Sequence, residues 1–227
     1  DAASPAEQAF FRMLGFSLWP DGGGFTAYQQ MVTALRAEPA AREDLRAVIG
    51  LGLEHAQHVT APLEGALGAR PLRVHARYTR EEIVAALDYV SIEGRKANSF
   101  REGVLYAPAA QADAFLVTLK KSEADYSPTT MYQDYAISRD LFHWESQSST
   151  TVASPTGQRY IHHRGGGSQI LLFARQTKTT ELGTGAPYLF LGEADYISHR
   201  GEKPIAFTWR LRSPMPVSVF ETAKVVA

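Results

Sequence analysis

Cysteine is absent from the 227 residues. That excludes a thiol nucleophile, a disulfide framework and thiolate-bound zinc or iron–sulfur clusters. No apolar run approaches the roughly 18 residues that a membrane-spanning helix needs. The net charge is only −1, from 23 Lys+Arg and 24 Asp+Glu, so the chain is not a uniformly basic nucleic-acid coat protein. No basic-then-apolar leader stands at its start, which makes a cytoplasmic setting the default expectation. Asp1-Ala2-Ala3-Ser4 reads as the cut edge of something longer. Several catalytic strings are missing as well: the GxxxxGK(S/T) phosphate loop, the GxSxG nucleophile elbow and the HExxH zinc motif. Neither Lys120 nor Lys121 has a carboxylate two residues before it, as a magnesium nuclease of the Glu/Asp-x-Lys kind requires.

Hydrophobic residues make up 44% and aromatic residues 11%, enough to bury a core in one large domain or two small ones. The near-zero charge hides an asymmetry. Residues 1–69 carry four positives against eight negatives, a net of −4, and residues 70–227 carry nineteen against sixteen, a net of +3. An acidic front and a basic remainder point to an anionic partner for the second part.

The hydrophobic period changes at the same place. Ser4-Pro5 with Glu7 three residues on is a helix start, and Phe10, Phe11, Leu14 and Leu18 follow at helical spacing. Tyr28, Met31, Val32 and Leu35 make a second stripe. Leu45, Val48, Ile49 and Leu53 make a third. Beyond Pro71, Leu72–Tyr78 alternates as a half-buried strand, and Thr79 caps a helix that has Glu81 and Glu82 in its first turn. From Gly103 onward the pattern predicts only strands: Val104–Tyr106, Ala114–Leu119, Phe142–Gln147, Gln158–Ile161, Ile170–Ala174, Tyr188–Gly192, Asp195–Ser198 and Ile205–Leu211. The expected fold is α+β: a small N-terminal helical bundle over 1–69, then a β-rich, barrel-like domain over 70–227 with one helix near its start.

Chemistry-bearing residues concentrate in four places. Glu93–Gly103 holds Arg95, Lys96, Asn98 and Arg101 between a helix and a strand. Arginine offers a planar fork to phosphate, lysine a point charge, and asparagine a bidentate face to adenine. Lys120 and Lys121 stand at a strand end, where they suit either a phosphate track or protection of an edge. Tyr132, with Tyr126 and Tyr135, lies in a hydroxyl-rich connection that could stack on a base or fold over the sheet. Phe142–Gln147 alternates strictly, so Trp144 lies with Phe142 and Ser146 on one face and His143 with Glu145 and Gln147 on the other. Trp144 is a candidate base contact, against the ordinary alternative of a core indole. A metal-dependent hydrolase built on His143, Glu145 and His162 or His163 is the third-ranked alternative.

The strings Val74–Ile83, Glu93–Val104, Val117–Ser122, Phe142–Ser148, Tyr188–Gly192 and Ile205–Leu211 resemble, in content and order, an uncharacterised domain at the C-terminal end of bacterial DEAD/DEAH-type helicases. Many of those proteins also carry a phospholipase-D-like nuclease module. The resemblance spans roughly residues 45–216 and implies a partner module in the same or another chain. The helicase and nuclease motifs themselves are absent from these residues. The expected function is DNA binding, extending to modified-base reading, in a restriction or defence system. The expected contacts are Arg95, Lys96, Arg101, Lys120 and Lys121 to phosphate, and Asn98, Tyr132 and Trp144 to base. No catalytic residue, metal, cofactor or membrane contact is assigned. The alternative is a protein-interaction module without nucleic acid.

Overall fold

The computed structural model describes residues 4–19, 22–89, 103–119 and 134–224. Three helices open the chain: α1 (Pro5–Leu18), α2 (Tyr28–Ala37) and α3 (Pro39–Glu54). The start of α1 is set as its sequence dictates. The Glu7 N–H donates to Ser4 Oγ, and Glu7 Oε2 accepts from the Ser4 N–H at 2.7 Å. These helices do not enclose a core of their own. Phe16 of α1 and Met31 of α2 join the cluster that covers one face of the sheet, and α3 buries no residue.

Short strands β1 (Ala61–Pro62) and β2 (Arg73–Val74) pair with each other, and β3 (Arg77–Tyr78) leads into α4 (Arg80–Ala86). The single strand expected over 72–78 is broken at His75, whose φ of 67° turns the chain out of the extended conformation. Thr79 caps α4 in a second capping box with Glu82.

The rest is built on β4 (Val104–Ala107), β5 (Ala112–Thr118), β6 (Tyr135–Ala136), β7 (Leu141–Glu145), β8 (Gln169–Arg175), β9 (Tyr188–Arg200) and β10 (Ala206–Leu211). They form one sheet in the order β4-β5-β8-β9-β10-β7-β6, with β3 added beside β9. Only β5 and β8 run parallel; the other pairs are antiparallel. The α+β class therefore holds, but the sheet is not closed into the barrel that the strand spacing implied. Strand β9 replaces two predicted strands: it stays continuous through an irregularity at Leu191–Gly192, where Gly192 has φ 97°.

Two further helices stand where only strands were expected: α5 (Pro155–Ile161) and α6 (Val217–Ala223). Helix α5 overturns the strand predicted over 158–161. Ser154 accepts from the Gly157 N–H, and Pro155 stands at the first helical position.

Alternation sorts the sheet into two faces. On one face Leu105, Ala114, Leu171, Phe173, Tyr188 and Phe190 pack beneath α4 and α1. On the other, Phe115, Phe142, Trp144, Leu172, Phe207 and Trp209 pack with Tyr160 of α5. Phe115 is the hub of this second cluster. It stacks on Trp144 with centroids 4.0 Å apart and meets the rings of Tyr160 and Trp209 edge-on. Replacing Phe115 by Ala should cost about 3–5 kcal/mol, because the cavity left among rigid rings cannot collapse. Urea denaturation would read it as a lowered midpoint at unchanged slope, and a loss under 1 kcal/mol would contradict the hub role.

Candidate nucleic-acid interface

Parallel pairing makes β5 and β8 finish at the same end of the sheet, Thr118 opposite Arg175. The pairing runs on past the strands: the Leu119 N–H donates to the Arg175 carbonyl at 2.9 Å. Antiparallel β4 starts at that same end, and the Leu116 N–H donates to the Gly103 carbonyl at 2.6 Å. Gly103 has φ 70°, and a Cβ there would meet the Leu116 carbonyl oxygen at 3.0 Å. Only glycine fits that entry point without strain. Strand β9 starts at this end too, with Tyr188.

Arg175 occupies the middle of this end. Its Nε donates to Thr118 Oγ1 (3.0 Å) and its Nη1 to the Ala186 carbonyl (3.2 Å). The guanidinium carbon lies 4.3 Å from the centre of the Tyr188 ring. Its partners are neutral, and no carboxylate among the described residues pairs with it. Among the described residues, then, neutral groups alone orient this arginine.

The opposite end of β5 and β8 is different. There Asp113 is buried and takes two bonds from Arg159, 2.7 and 2.8 Å. Burial pushes the Asp113 carboxyl up, against the opposing pull of Arg159. The Arg159 guanidinium also lies over the Tyr106 ring at 4.2 Å. Asp195 is held between Arg164 and Arg212, and Arg212 also reaches Glu193 at 2.7 Å. Burial favours the neutral Asp195 acid, but the arginine hydrogen bonds outweigh it and bring the carboxyl down to about 2. A cleft of about 500 Å³ opens beside this network, lined by Leu63, Glu64, Leu67, Val74, Glu193 and Arg212. The Glu193 and Arg212 side chains in its wall are already paired with each other, so the cleft presents no spare guanidinium to an anion.

Trp144 is the one sequence-predicted contact within the described residues, and it is corrected. It is 4% exposed, with Phe115 stacked on its ring and Tyr160 edge-on, so it packs the core and cannot stack on a base. Arg95, Lys96, Asn98, Arg101, Lys120, Lys121 and Tyr132 lie outside the described residues. Arg175 and Tyr188 were missed by sequence reasoning. An arginine closing an apolar strand, opposite a threonine, was the available signal.

The histidines proposed for metal are not assembled. Among the described residues no group of three or more His, Asp or Glu side chains could hold an ion. His143 stacks on Tyr135 at 4.6 Å. His163 is engaged at both nitrogens. The Tyr196 N–H donates to Nε2 (3.2 Å), so Nδ1 carries the proton and faces the Ser168 carbonyl (3.3 Å). The ring caps β9 just where β8 stops pairing with it.

The match of a family model comes on top of this geometry. The model, described as a domain of unknown function (DUF3427), covers residues 72–223, more than half of the chain. The chain belongs to the DUF3427 family. The DUF3427 segment starts at Leu72, just before β2, and ends at Ala223, the last residue of α6. It therefore includes the whole eight-stranded sheet and leaves α1–α3 outside. Comparison with curated proteins gave no match. No helix among the described residues is long and apolar enough to cross a membrane.

The buried groups of the DUF3427 segment set its acid stability. Burial lowers the His163 pKa below its ordinary value; the Ser168 carbonyl and Asp195 oppose this, and Arg164 and Arg212 reinforce it. A depressed folded pKa gives stability that is present above the unfolded value, about 6.5, and is lost as pH falls. Asp195 contributes a second window between about 4 and 2 by the same sign. On acidification His163 and then Asp195 should each lower the melting temperature in its own window, while Asp113, whose carboxyl is pushed up, acts with the opposite sign. In His163→Gln the first of these falls should shrink while the second persists, and an unchanged profile would contradict the assignment.

Proposed function

We propose that this chain binds DNA through the sheet end formed by Gly103, Leu119, Arg175 and Tyr188, as the substrate-selecting C-terminal domain of a restriction- or defence-type helicase or nuclease system, with selectivity for modified bases. The observation that carries this reading is the convergence of the strand ends around Arg175, whose partners among the described residues are all neutral. The two cation-bearing stretches of the sequence join the sheet there. Residues 90–102, with Arg95, Lys96, Asn98 and Arg101, lead into Gly103. Residues 120–133, with Lys120, Lys121 and Tyr132, follow Leu119. Sequence adjacency brings both stretches to this end through Gly103 and Leu119, beside Arg175. Phosphate contacts supply affinity, and amide or aromatic groups supply selectivity. The helicase setting rests on the resemblance of the motif order, and the partner module would lie in the same or a partner chain.

Fluorescence anisotropy with a labelled duplex tests it. Affinity should fall steeply between about 50 and 200 mM salt. Arg175→Ala should weaken binding roughly tenfold, about 1.4 kcal/mol, and lower the salt slope by about one. A duplex carrying modified cytosines should compete better than an unmodified one of the same sequence. No anisotropy change with duplex, single-stranded or modified DNA at low salt would defeat the proposal.

One observation favours assembly as a second reading. Val48, Ile49 and Leu53 follow one another along α3 at helical spacing and are all at least half exposed. Light scattering of the chain against Leu53→Glu checks it. A stable oligomer that this variant dissolves, together with indifference to DNA, would put assembly first.

A further inference from the structure

We infer that the cleft between the 61–67 segment and the Glu193–Arg212 pair is a binding site for a free nucleoside whose base carries an exocyclic amine; this does not depend on the DNA-binding reading above. The cleft lies at the far end of the sheet. Gln169, in its wall, begins β8 and Arg175 ends it, a separation of roughly 20 Å along the strand. Its volume, about 500 Å³, falls within the range of small-ligand sites. One wall comes from β1, Val74 of β2 and the short 3₁₀ turn Gly65–Leu67. The other holds Gln169, Glu193, Arg212 and Ser213. The backbone fixes this second wall, because the Arg212 N–H donates to the Glu193 carbonyl at 3.0 Å.

What Arg212 offers the cleft is decided by its own bonds. Nε donates to both Asp195 oxygens (3.3 and 3.2 Å), Nη2 to Asp195 (3.0 Å) and Gln169 (3.4 Å), and Nη1 to Glu193 (2.7 Å). The hydrogens of a guanidinium lie in one plane, so these acceptors occupy its edge and leave its flat face. The side chain is still 40% exposed, which keeps that face open to a ring stacked on it. The Glu64 and Glu193 carboxylates beside it are acceptors, and they match a ring with N–H donors on its edge, as a carboxylate matches the amino group of cytosine. A phenylalanine or tyrosine from a partner protein has the flat ring without the edge donors. Charge separates nucleoside from nucleotide. Arg164 and Arg212 stand against Asp195, Glu193 and Glu64, two positives and three negatives, a net of −1. A phosphate brought to this rim meets excess negative charge, whereas an uncharged ribose does not.

Isothermal titration calorimetry of the full chain with two matched pairs of nucleosides tests it. Adenosine is set against purine riboside, and cytidine against zebularine, which lack only the amine. The aminated member of each pair should fill one site per chain and bind at least about tenfold more tightly, because its partner leaves a carboxylate unanswered. Adenosine monophosphate should bind about threefold or more weaker than adenosine at low salt. Glu64→Gln changes an exposed side chain outside the core, so the fold should persist while the amine preference and the phosphate penalty both shrink. No binding of adenosine or cytidine at millimolar concentration overturns the inference. So does an amine-free nucleoside that binds as tightly as its partner, a monophosphate that binds better than the nucleoside, or an unchanged preference in Glu64→Gln. DNA binding at the Arg175 end stands or falls separately, by the anisotropy titration above.

Discussion

The parallel register of β5 on β8 is the constraint from which the remaining geometry follows. Seven consecutive residues of each strand are paired, Ala112–Thr118 with Gln169–Arg175. Parallel strands cannot be joined by a tight turn. The chain must travel back along the length of the sheet between them, and the return connection includes β6, β7 and α5. Both strands then end side by side, which brings Thr118, Leu119 and Arg175 together. Antiparallel β4 adds Gly103 to the group, and β9 adds Tyr188. A single choice of strand direction thus gathers points 103, 119, 175 and 188 of the chain.

Holding that return path in place is the task of the charged groups at the other end. Helix α5 is only seven residues long and would be marginal alone. Its Tyr160 enters the ring cluster around Phe115, and its Arg159 is bound to buried Asp113. Removing either partner of that pair would leave a charge uncompensated in the interior, which is far costlier than losing an exposed pair. The turn after α5 is pinned again, by His163 to the Tyr196 N–H and by Arg164 to Asp195. Cations at this end are spent on architecture. The contrast with Arg175, which among the described residues is held by a hydroxyl, a carbonyl and a ring face, marks off the structural arginines of the far end.

Much of the fold was legible in the sequence where local signals were redundant. Helix α1 declares itself three times, by Ser4, Pro5 and Glu7, and α4 twice, by Thr79 and Glu82. Helix α5 carries the same Ser-Pro start at 154–155, but it has Gly157 where the others have glutamate. Its apolar face is little more than Tyr160 and Ile161, too short to show a period of 3.6. The alternation in Phe142–Glu145 correctly placed Trp144 opposite His143, yet alternation alone does not say which face is covered. Tyr160 arrives from the misread helix, so the burial of Trp144 could not be seen without it. Closure into a barrel was likewise out of reach, since it depends on pairing between the sheet's two outer strands. The cationic stretches were found by composition, but the convergence of their attachment points is a property of strand direction.

Net charge is a poor guide to whether such an end can hold a polyanion. The chain totals −1, yet a DNA strand responds to charges within about a Debye length, roughly 8 Å at physiological salt. Asp113 lies five residues along β5 from Thr118, roughly 17 Å at the rise of an extended strand. The carboxylates at that far end are therefore screened from the near end, and they are cancelled locally by Arg159, Arg164 and Arg212. The field felt by a phosphate beside Thr118 is set by the groups gathered there. Among the described residues these include Arg175, whose described partners, Thr118, the Ala186 carbonyl and the Tyr188 ring, are all neutral.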